Sequence, residues 1–274
     1  MSKPVGLEDG GTETATKETK QQGGVFEFIK VVVQALLIAL VVRTFLFQPF
    51  NIPSGSMIPT LLVGDFLFVS KYSYGFSRFS FPNTDPLFHI PWEGLIKDRI
   101  LSSPPKQGDV VVFKLPRDNT TDYIKRVIGM PGDTIQMKEG RLYINGKIVP
   151  REPIAKVHTE DFYGHDTDVP TYTETLPDGV KHTIIEIQGD TGFTDNTEEF
   201  KVPPDHYFMM GDNRDNSTDS RVPPDQGGVG YVPFENLIGR AEVIFFSVKQ
   251  GDSAWKVWEW PWTVRWQRMF RPIH

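Results

Sequence analysis

The chain has 274 residues, with 29 basic and 35 acidic side chains, six histidines and no cysteine. The absence of cysteine excludes disulfides, a thiolate nucleophile and cysteine-ligated zinc. The formal net charge of −6 disfavours a nucleic-acid partner, because proteins hold the phosphate backbone with a basic surface. The length allows one large domain or two small ones, since domains usually contain about 100–200 residues.

The first 24 residues are polar and contain no aromatic side chain, which predicts a disordered tail at 1–24. An apolar stretch follows at 25–47. Its uncharged core, 31–42, would be only about 18 Å long as a helix, whereas the hydrocarbon core of a bilayer is about 30 Å thick. The length of this core therefore leaves a buried helix or a signal-peptide core as alternatives.

Two features of the flanking sequence favour a retained transmembrane anchor at 25–47. No small-residue cleavage site follows the apolar run, and apolar residues continue to Phe50. Lys30 and Arg43 also stand where their long side chains can reach the two membrane interfaces. Basic residues occur on both sides of the run, so the positive-inside rule gives no orientation.

The remainder of the chain is predicted to be mainly β, with an antiparallel, barrel-like domain over 48–250. Short apolar or alternating runs bounded by turn residues predict strands at 65–70, 109–114, 123–128, 141–144, 182–187, 206–210 and 241–248. Asn145 and Gly146 suit the two positive-φ positions of a type I′ hairpin turn. No helical pattern separates the strands, which disfavours a parallel α/β sheet. Residues 150–205 are predicted to form a smaller β region inserted between two core strands.

The C-terminal segment, 251–274, is unusually rich in tryptophan. Five of the six tryptophans are there: Trp255, Trp258, Trp260, Trp262 and Trp266. They alternate with the basic residues Lys256, Arg265, Arg268 and Arg271. Such a segment can pack into a core, but tryptophan beside basic residues is also typical of a bilayer interface. We favour a contact with the membrane surface.

Three segments contain residues that could carry chemistry. In the first, 50–65, Pro53, Gly55 and Pro59 predict a tight turn that displays Ser54 and Ser56. Serine is common in turns because its hydroxyl bonds to nearby backbone groups. Taken alone, this turn is therefore better explained as structural.

The second segment, 122–133, contains Lys125 on a predicted strand, on the same face as Tyr123 and Val127. Apolar neighbours disfavour the charged amine and lower its pKa, and a neutral amine can act as a general base. An edge-strand lysine whose amine reaches solvent would give the same local pattern. From this strand alone, that second interpretation is favoured.

The third segment, 211–221, is a loop dense in short polar side chains. It does not fit an EF-hand calcium loop, because counting from Asp212 the sixth position is Ser217 instead of glycine and the twelfth is Pro223 instead of glutamate. Asp219 and Arg221 can pair and stabilise the loop beside a strand. The histidines show no metal-binding spacing and are interpreted as surface or loop residues: His89, His158, His165, His182, His206 and His274.

Together and in this order, the three segments resemble the conserved boxes of bacterial type I signal peptidases, or leader peptidases. These are membrane-bound serine endopeptidases with a largely β catalytic domain. The resemblance extends from the apolar stretch through Val248. It implies that Ser56 is the nucleophile, Lys125 the general base, and that the Ser56 N–H and the Ser54 hydroxyl hold the oxyanion. It implies neither a metal nor an organic cofactor.

The resemblance also implies supporting residues and a substrate. Ser217 would bond to the Lys125 amine, and Asp219 and Arg221 would form a supporting salt bridge. The substrate would be the signal peptide of a secretory preprotein, bound as an added strand, with small residues one and three positions before the cut. The groove that binds it would be lined by Phe50, Ile52, Pro53, Met57, Asp122 and Ile124. The chain would cross the inner (plasma) membrane once, in contact with lipid, with the catalytic domain on the extracytoplasmic, periplasmic side.

Two rival functions have distinct expectations. A self-cleaving Ser/Lys peptidase of the repressor type would share the catalytic core but would have a DNA-binding region and no anchor. A membrane-anchored β scaffold would explain the anchor and the hairpins, but not the three segments together. The distance between Ser56 Oγ and Lys125 Nζ separates enzyme from scaffold, because a general base must lie within hydrogen-bond reach.

Overall fold

The computed structural model describes residues 24–81, 98–160, 166–252 and 254–274, and the chain divides into two compact units between Leu40 and Val41. Helix α1 (Gly24–Phe45) has 22 residues, a mean hydropathy of 2.4 and almost entirely exposed side chains. At 1.5 Å per residue it is about 33 Å long, which fits a membrane anchor by length and composition. The predicted tail lies outside the described residues except for Gly24, which begins α1.

The rest of the described chain is mainly antiparallel β-structure. The strands are β1 (Phe47–Asn51), β2 (Asp65–Ser70), β3 (Val110–Lys114), β4 (Asp122–Gly129), β5 (Thr134–Lys138), β6 (Arg141–Ile144), β7 (Lys147–Ile148), β8 (Arg151–Glu160), β9 (Asp166–Thr175), β10 (Lys181–Ile185), β11 (Phe200–Lys201), β12 (His206–Met210), β13 (Val232–Pro233), β14 (Leu237–Ser247) and β15 (Arg271–Pro272). A short helix, α2 (Trp260–Thr263), lies near the C-terminus. The 3-10 turns are Gly55–Met57, Arg78–Ser80, Gly189–Thr191, Pro224–Gln226, Phe234–Asn236, Val257–Glu259 and Trp266–Arg268.

The main sheet has the strand order β1-β2-β14-β3-β4-β12-β13, with β15 paired to β14. It is buried on both faces, as β3 shows. Val110 and Val112 belong to one apolar cluster, whereas Val111 and Phe113 belong to another. Successive side chains of a strand point to opposite faces, so an unbroken apolar run predicts a sheet with a core on each side.

Strand β4 has two neighbours along only part of its length. Strand β3 pairs with β4 from Asp122 to Arg126. Strand β12 reaches β4 from Gly129 only as far as Arg126, where its last residue, Met210, pairs. Among the described pairings, the stretch of β4 at 122–125 therefore has one edge without a partner strand.

The segment between β4 and β12 leaves the main sheet and forms two smaller sheets. One contains β11-β5-β6-β7 and the other contains β10-β9-β8. The departure begins after Gly129, earlier than the predicted insertion at 150. A third apolar cluster, which includes Ile128, Leu142 and Phe208, joins the first small sheet to the main sheet.

The structure confirms the prediction of a mainly antiparallel β fold behind one N-terminal apolar helix. The predicted strands at 65–70, 141–144 and 206–210 coincide with β2, β6 and β12. Asn145 and Gly146 have φ angles of 53° and 73°, as a type I′ turn requires. Strands β8 and β9 were not predicted, because their ten residues each are largely polar and lack a strong alternation, and β9 contains four threonines.

Candidate active site

The fold brings Ser56 and Lys125 into direct contact. Ser56 lies in the 3-10 turn that follows β1, and Lys125 lies in β4. The distance from Lys125 Nζ to Ser56 Oγ is 2.7 Å, across 69 positions of sequence. The amine makes a second contact at 3.0 Å with the carbonyl oxygen of Ile124. A general base must lie this close to the proton that it removes, so the distance favours an enzyme over a scaffold.

Lys125 is a buried lysine and not one that reaches solvent. Its exposed fraction is 3%, and burial lowers the pKa of its amine from 10.5 to about 8. The carboxylates of Asp219 and Asp212 oppose this shift, and the charge of Arg221 adds to it. With such a pKa, roughly one amine in ten is neutral at pH 7. The burial that the apolar neighbours predicted therefore gives the amine the proton affinity of a base that works near neutrality.

The loop after β12 packs directly on the turn that carries Ser56. Asn213 donates its backbone N–H to the Ser56 carbonyl at 3.1 Å, and its Nδ2 to the Gly55 carbonyl at 3.2 Å. A Cβ atom on Gly211 would lie 2.5 Å from the Ser56 carbonyl oxygen and 2.3 Å from Ser217 Oγ. Only glycine allows this approach, so Gly211 sets how closely the loop holds the turn.

A buried ion pair organises the same loop. Arg221 contacts both oxygens of Asp219, at 2.9 and 2.8 Å, and both side chains are inaccessible to solvent. Burial alone would raise the pKa of Asp219, but the Arg221 charge and its hydrogen bonds outweigh burial, so the pKa is lowered. Asp219 also accepts the Gly211 N–H at 3.0 Å. The predicted salt bridge is therefore present in the geometry.

Ser217 is in the loop, but the predicted bond to the Lys125 amine is not made. Its Oγ is buried and has no hydrogen-bond partner among the described residues. Ser54 is exposed and lies directly before the 3-10 turn that contains Ser56. Of the predicted catalytic and supporting residues, Ser217 is thus the one whose contact is missing.

A groove of about 380 Å³ opens at the Ser56 and Lys125 side chains. It is lined by Pro53, Ser54, Gly55, Ser56, Thr121, Asp122, Tyr123, Ile124, Lys125, Asn216 and Thr218. Three predicted substrate-binding residues, Pro53, Asp122 and Ile124, are among them. The other three are not among the lining residues. Ile52 and Met57 are buried in the core, and Phe50 packs against that core.

A second buried ion pair connects β4, which carries Lys125, to the loop after β12. The sequence analysis did not predict this pair. Arg126 donates from Nε and Nη2 to the two oxygens of Asp212, each at 2.8 Å. Arg126 follows Lys125 in β4, and Asp212 precedes Asn213, so the pair ties the strand that carries Lys125 to the loop that packs on the Ser56 turn. The sequence signal that could have indicated this pair is that Arg126 lies in the segment 122–133 and Asp212 in the segment 211–221.

The interpretation of all six histidines as surface or loop residues was wrong for His182. This side chain is buried in β10, with Nε2 at 3.4 Å from Glu174 Oε2. Burial lowers the pKa of His182. His158 and His274 are exposed and His206 is partly exposed, whereas His89 and His165 lie outside the described residues.

In the tryptophan-rich end, four of the five rings are exposed and Trp260 packs against Phe246. Trp255, Trp258, Trp262 and Trp266 are between 55% and 89% exposed. Arg268 binds Asp65 at 2.5 Å, and Arg265 donates to the carbonyls of Val63 and Val248 at 2.6 Å. Arg265 and Arg268 thus fasten the segment to the main sheet, whereas Arg271 is exposed.

Comparison with known proteins identifies relatives of the chain. Residues 25–246 match the family model described as "Signal peptidase, peptidase S26". The chain is 37% identical to signal peptidase I of Rickettsia conorii over 280 residues, covering 97% of each protein. It is 36% identical to signal peptidase I of Rickettsia prowazekii, covering 95% of this chain and 96% of that protein. A solved signal peptidase I structure from Enterococcus faecalis is 25% identical, covers 50% of this chain and 97% of the other, and gives a TM-score of 0.28.

Proposed function

The chain belongs to the signal peptidase family, peptidase S26, and we propose that it removes signal peptides from preproteins by means of Ser56 and Lys125. Membership makes it a hydrolase that cleaves peptide bonds. The observation that supports the assignment of the two residues is the 2.7 Å contact between a serine hydroxyl and a buried lysine with a lowered pKa.

The proposed reaction proceeds through an acyl-enzyme. The neutral Lys125 amine accepts the Ser56 hydroxyl proton while Oγ attacks the carbonyl carbon of the scissile bond. The protonated amine then gives that proton to the leaving nitrogen, which leaves the signal peptide as an ester on Ser56. Lys125 next removes a proton from water, whose oxygen attacks the ester carbonyl carbon. As the bond from that carbon to Ser56 Oγ breaks, the protonated amine returns the proton to Oγ, and the signal peptide leaves as a carboxylic acid. Ser–Lys pairs are a recognised variant of the serine-protease arrangement.

We assign the oxyanion to the Ser56 N–H and the Ser54 hydroxyl. Ser56 is in the first turn of its 3-10 segment, where backbone N–H groups have no partner within the helix. Asn213 Nδ2 donates to the Gly55 carbonyl, which shares a peptide plane with the Ser56 N–H, and this bond supports the orientation of that N–H. Loss of one oxyanion donor typically reduces kcat by about 10²–10³. We assign Ser217 the role of orienting the amine once substrate fills the groove.

The substrate is proposed to bind as an added strand beside β4. Strand β4 at 122–125 has an edge without a partner among the described pairings, and this stretch lines the groove. A peptide that pairs with this edge would bring its scissile carbonyl alongside Ser56. Small residues one and three positions before the cut are proposed to point into the groove, whose wall at Pro53 and Ile124 is apolar.

The membrane arrangement is also a proposal. Helix α1 would anchor the chain in the inner membrane, with the β-rich part on the extracytoplasmic, periplasmic side where translocated signal peptides emerge. The exposed Trp258 and Trp262 rings would lie at the lipid interface. Quenching of tryptophan fluorescence by bromolipids in proteoliposomes tests this contact. A Trp258→Ser, Trp262→Ser variant should lose much of the quenching, and unchanged quenching would contradict the contact.

Cleavage of a purified preprotein in detergent tests the proposed function. Mass spectrometry should show a single cut after a small residue, and the Ser56→Ala protein, folded as judged by circular dichroism, should make no cut. An intact preprotein after incubation with the unaltered chain would contradict the proposal.

A further inference from the structure

Three carboxylates converge at a place separate from the Ser56 and Lys125 pair. One oxygen from each of Glu186, Asp195 and Asp215 lies within 4.8 Å of an oxygen from each of the other two. Glu186 and Asp195 are 0% exposed, and Asp215 is half-buried. Like charges repel strongly when water is excluded, so a bound cation would stabilise this arrangement.

In each of these carboxylates, one oxygen contacts a basic side chain or a backbone N–H, and the other oxygen has no hydrogen-bond partner among the described residues. Arg151 lies 3.4 Å from Glu186 Oε1, and backbone N–H groups at 2.6 Å bind Asp195 Oδ2 and Asp215 Oδ2. The remaining oxygens are buried without a hydrogen-bond partner among the described residues: Glu186 Oε2, Asp195 Oδ1 and Asp215 Oδ1. Buried polar atoms are rarely left unpaired in folded proteins, so three together indicate a ligand.

The backbone at Gly192 keeps space open beside these oxygens. A Cβ atom there would lie 2.2 Å from Asp215 Oδ1 and 3.1 Å from Asp195 Oδ2. The Gly192 N–H also donates to Asp195 Oδ2. Any larger residue at this position would displace the Asp215 carboxylate, so glycine is what allows the two acids to meet.

Three arginines of this region each pair with a carboxylate outside the cluster, and Arg151 pairs with Asp190 as well as with Glu186. Arg214 forms a salt bridge with Glu174, and Arg221 binds Asp219 at 2.8 Å. Among the described residues, none of these arginines donates a hydrogen bond to the three unpaired oxygens.

We propose that Glu186, Asp195 and Asp215 bind a calcium ion. Calcium takes six to eight oxygen ligands at about 2.3–2.6 Å in flexible geometry, so one ion can join two oxygens up to about 4.6–5.2 Å apart. Water and nearby carbonyls would complete the shell. The ligands come from separate parts of the chain, which is why the EF-hand spacing is absent from the sequence.

Asp215 connects this ion to the loop that contacts the nucleophile turn. It stands two residues after Asn213, whose backbone and side chain hold the Ser56 turn. The ion would therefore join the segment at 186–195 to the loop at 211–221. Calcium binding itself does not depend on the proposed peptidase function, so a failure of one leaves the other testable.

Titration of the full chain in detergent, after removal of metals with EDTA, tests the proposal with calcium chloride alone. Calorimetry should show about one ion per chain, and the thermal midpoint should rise by about 5–10 °C at 100 times the dissociation constant. The variant Glu186→Gln, Asp195→Asn should lose both responses. The variant Glu198→Gln, Glu199→Gln also removes two carboxylates, from exposed side chains of the same segment, and should keep both responses.

The variant Glu186→Gln, Asp195→Asn also controls for misfolding. In EDTA it should unfold at or above the midpoint of the unaltered chain, because the repulsion between the carboxylates is relieved. If it does not fold, the half-buried Asp215→Asn alone should weaken calcium binding at least tenfold. Absence of binding up to about 10 mM calcium, an equal response in the Glu186→Gln, Asp195→Asn variant, or a stronger response to magnesium than to calcium would overturn the assignment.

Discussion

Two buried lysines in the β-rich part of the chain have the same lowered pKa but different neighbours. Lys71 and Lys125 are each 3% exposed, and burial lowers the pKa of each to about 8. The Lys71 amine donates to the backbone carbonyl of Ser80, whereas the Lys125 amine lies 2.7 Å from the Ser56 hydroxyl. A carbonyl oxygen has no proton to give, so Lys71 has nothing to deprotonate where it lies.

Burial lowers the pKa of both amines, but only an amine that contacts a hydroxyl group can act as its general base. A lowered pKa alone would mark both lysines as candidates, because structural and catalytic groups are shifted by the same forces. Only Lys125 combines the shift with a nucleophile, an open groove and a strand edge without a partner. The geometry around the amine is therefore the distinguishing property.

The largest expected effect separates the two lysines directly. Lys125→Met should reduce kcat for preprotein cleavage by at least about 10³-fold, since it removes the general base. Lys71→Met, which removes an equally buried amine, should leave kcat within about threefold. Rates are measured on proteins with matched circular dichroism spectra. Comparable losses in the two variants would show that burial of a lysine, and not its contact with Ser56, carries the effect.

A smaller effect is expected from the ion pair in the loop beside Lys125. Asp219→Asn leaves the buried Arg221 without its charge partner and should lower the free energy of unfolding by about 3–5 kcal/mol. It should also lower the pKa of Lys125, because the Asp219 carboxylate raises it. Chemical denaturation and a rate profile against pH measure the two effects.

The control for this variant is Asp225→Asn, an exposed acid four positions after Arg221, which should change stability by no more than about 0.5 kcal/mol. Equal stabilities for the two variants would mean that the Asp219–Arg221 pair contributes little to holding the loop.

The smallest expected effect concerns the contact between the loop and the Ser56 turn. Asn213→Ala removes the side-chain bond to Gly55 but keeps the backbone N–H bond to Ser56. A single hydrogen bond contributes about 0.5–1.5 kcal/mol, so kcat/KM should fall by about two- to tenfold. A loss as large as that of Ser56→Ala would show that the side chain itself takes part in the reaction.

Local sequence was enough to predict the strands that carry the site. The run at 110–113 is apolar without interruption, and Asn145-Gly146 permits few other turns. Ser56 and Lys125 were identified through the resemblance of three segments, because each segment by itself has an ordinary structural explanation. Their contact depends on the pairing of β4 in the main sheet, which no local pattern specifies.

The features that the sequence did not reveal depend on contacts between distant residues. Arg126 and Asp212 are 86 positions apart, and their pairing follows from the end of β12 meeting β4. Glu186, Asp195 and Asp215 converge only once two loops fold together. Ile52 and Met57 were expected in the groove but are buried, because the turn directs them to the core.

The rate of preprotein cleavage as a function of pH tests most directly whether Lys125 is the base. The neutral amine is the active form, so kcat/KM should fall tenfold per pH unit below the pKa and level off above it. The predicted midpoint is about 8 in the unaltered chain, and it should be unchanged in Lys71→Met. A rate independent of pH between about 6 and 9, or a midpoint that disappears in Lys71→Met, would contradict the account.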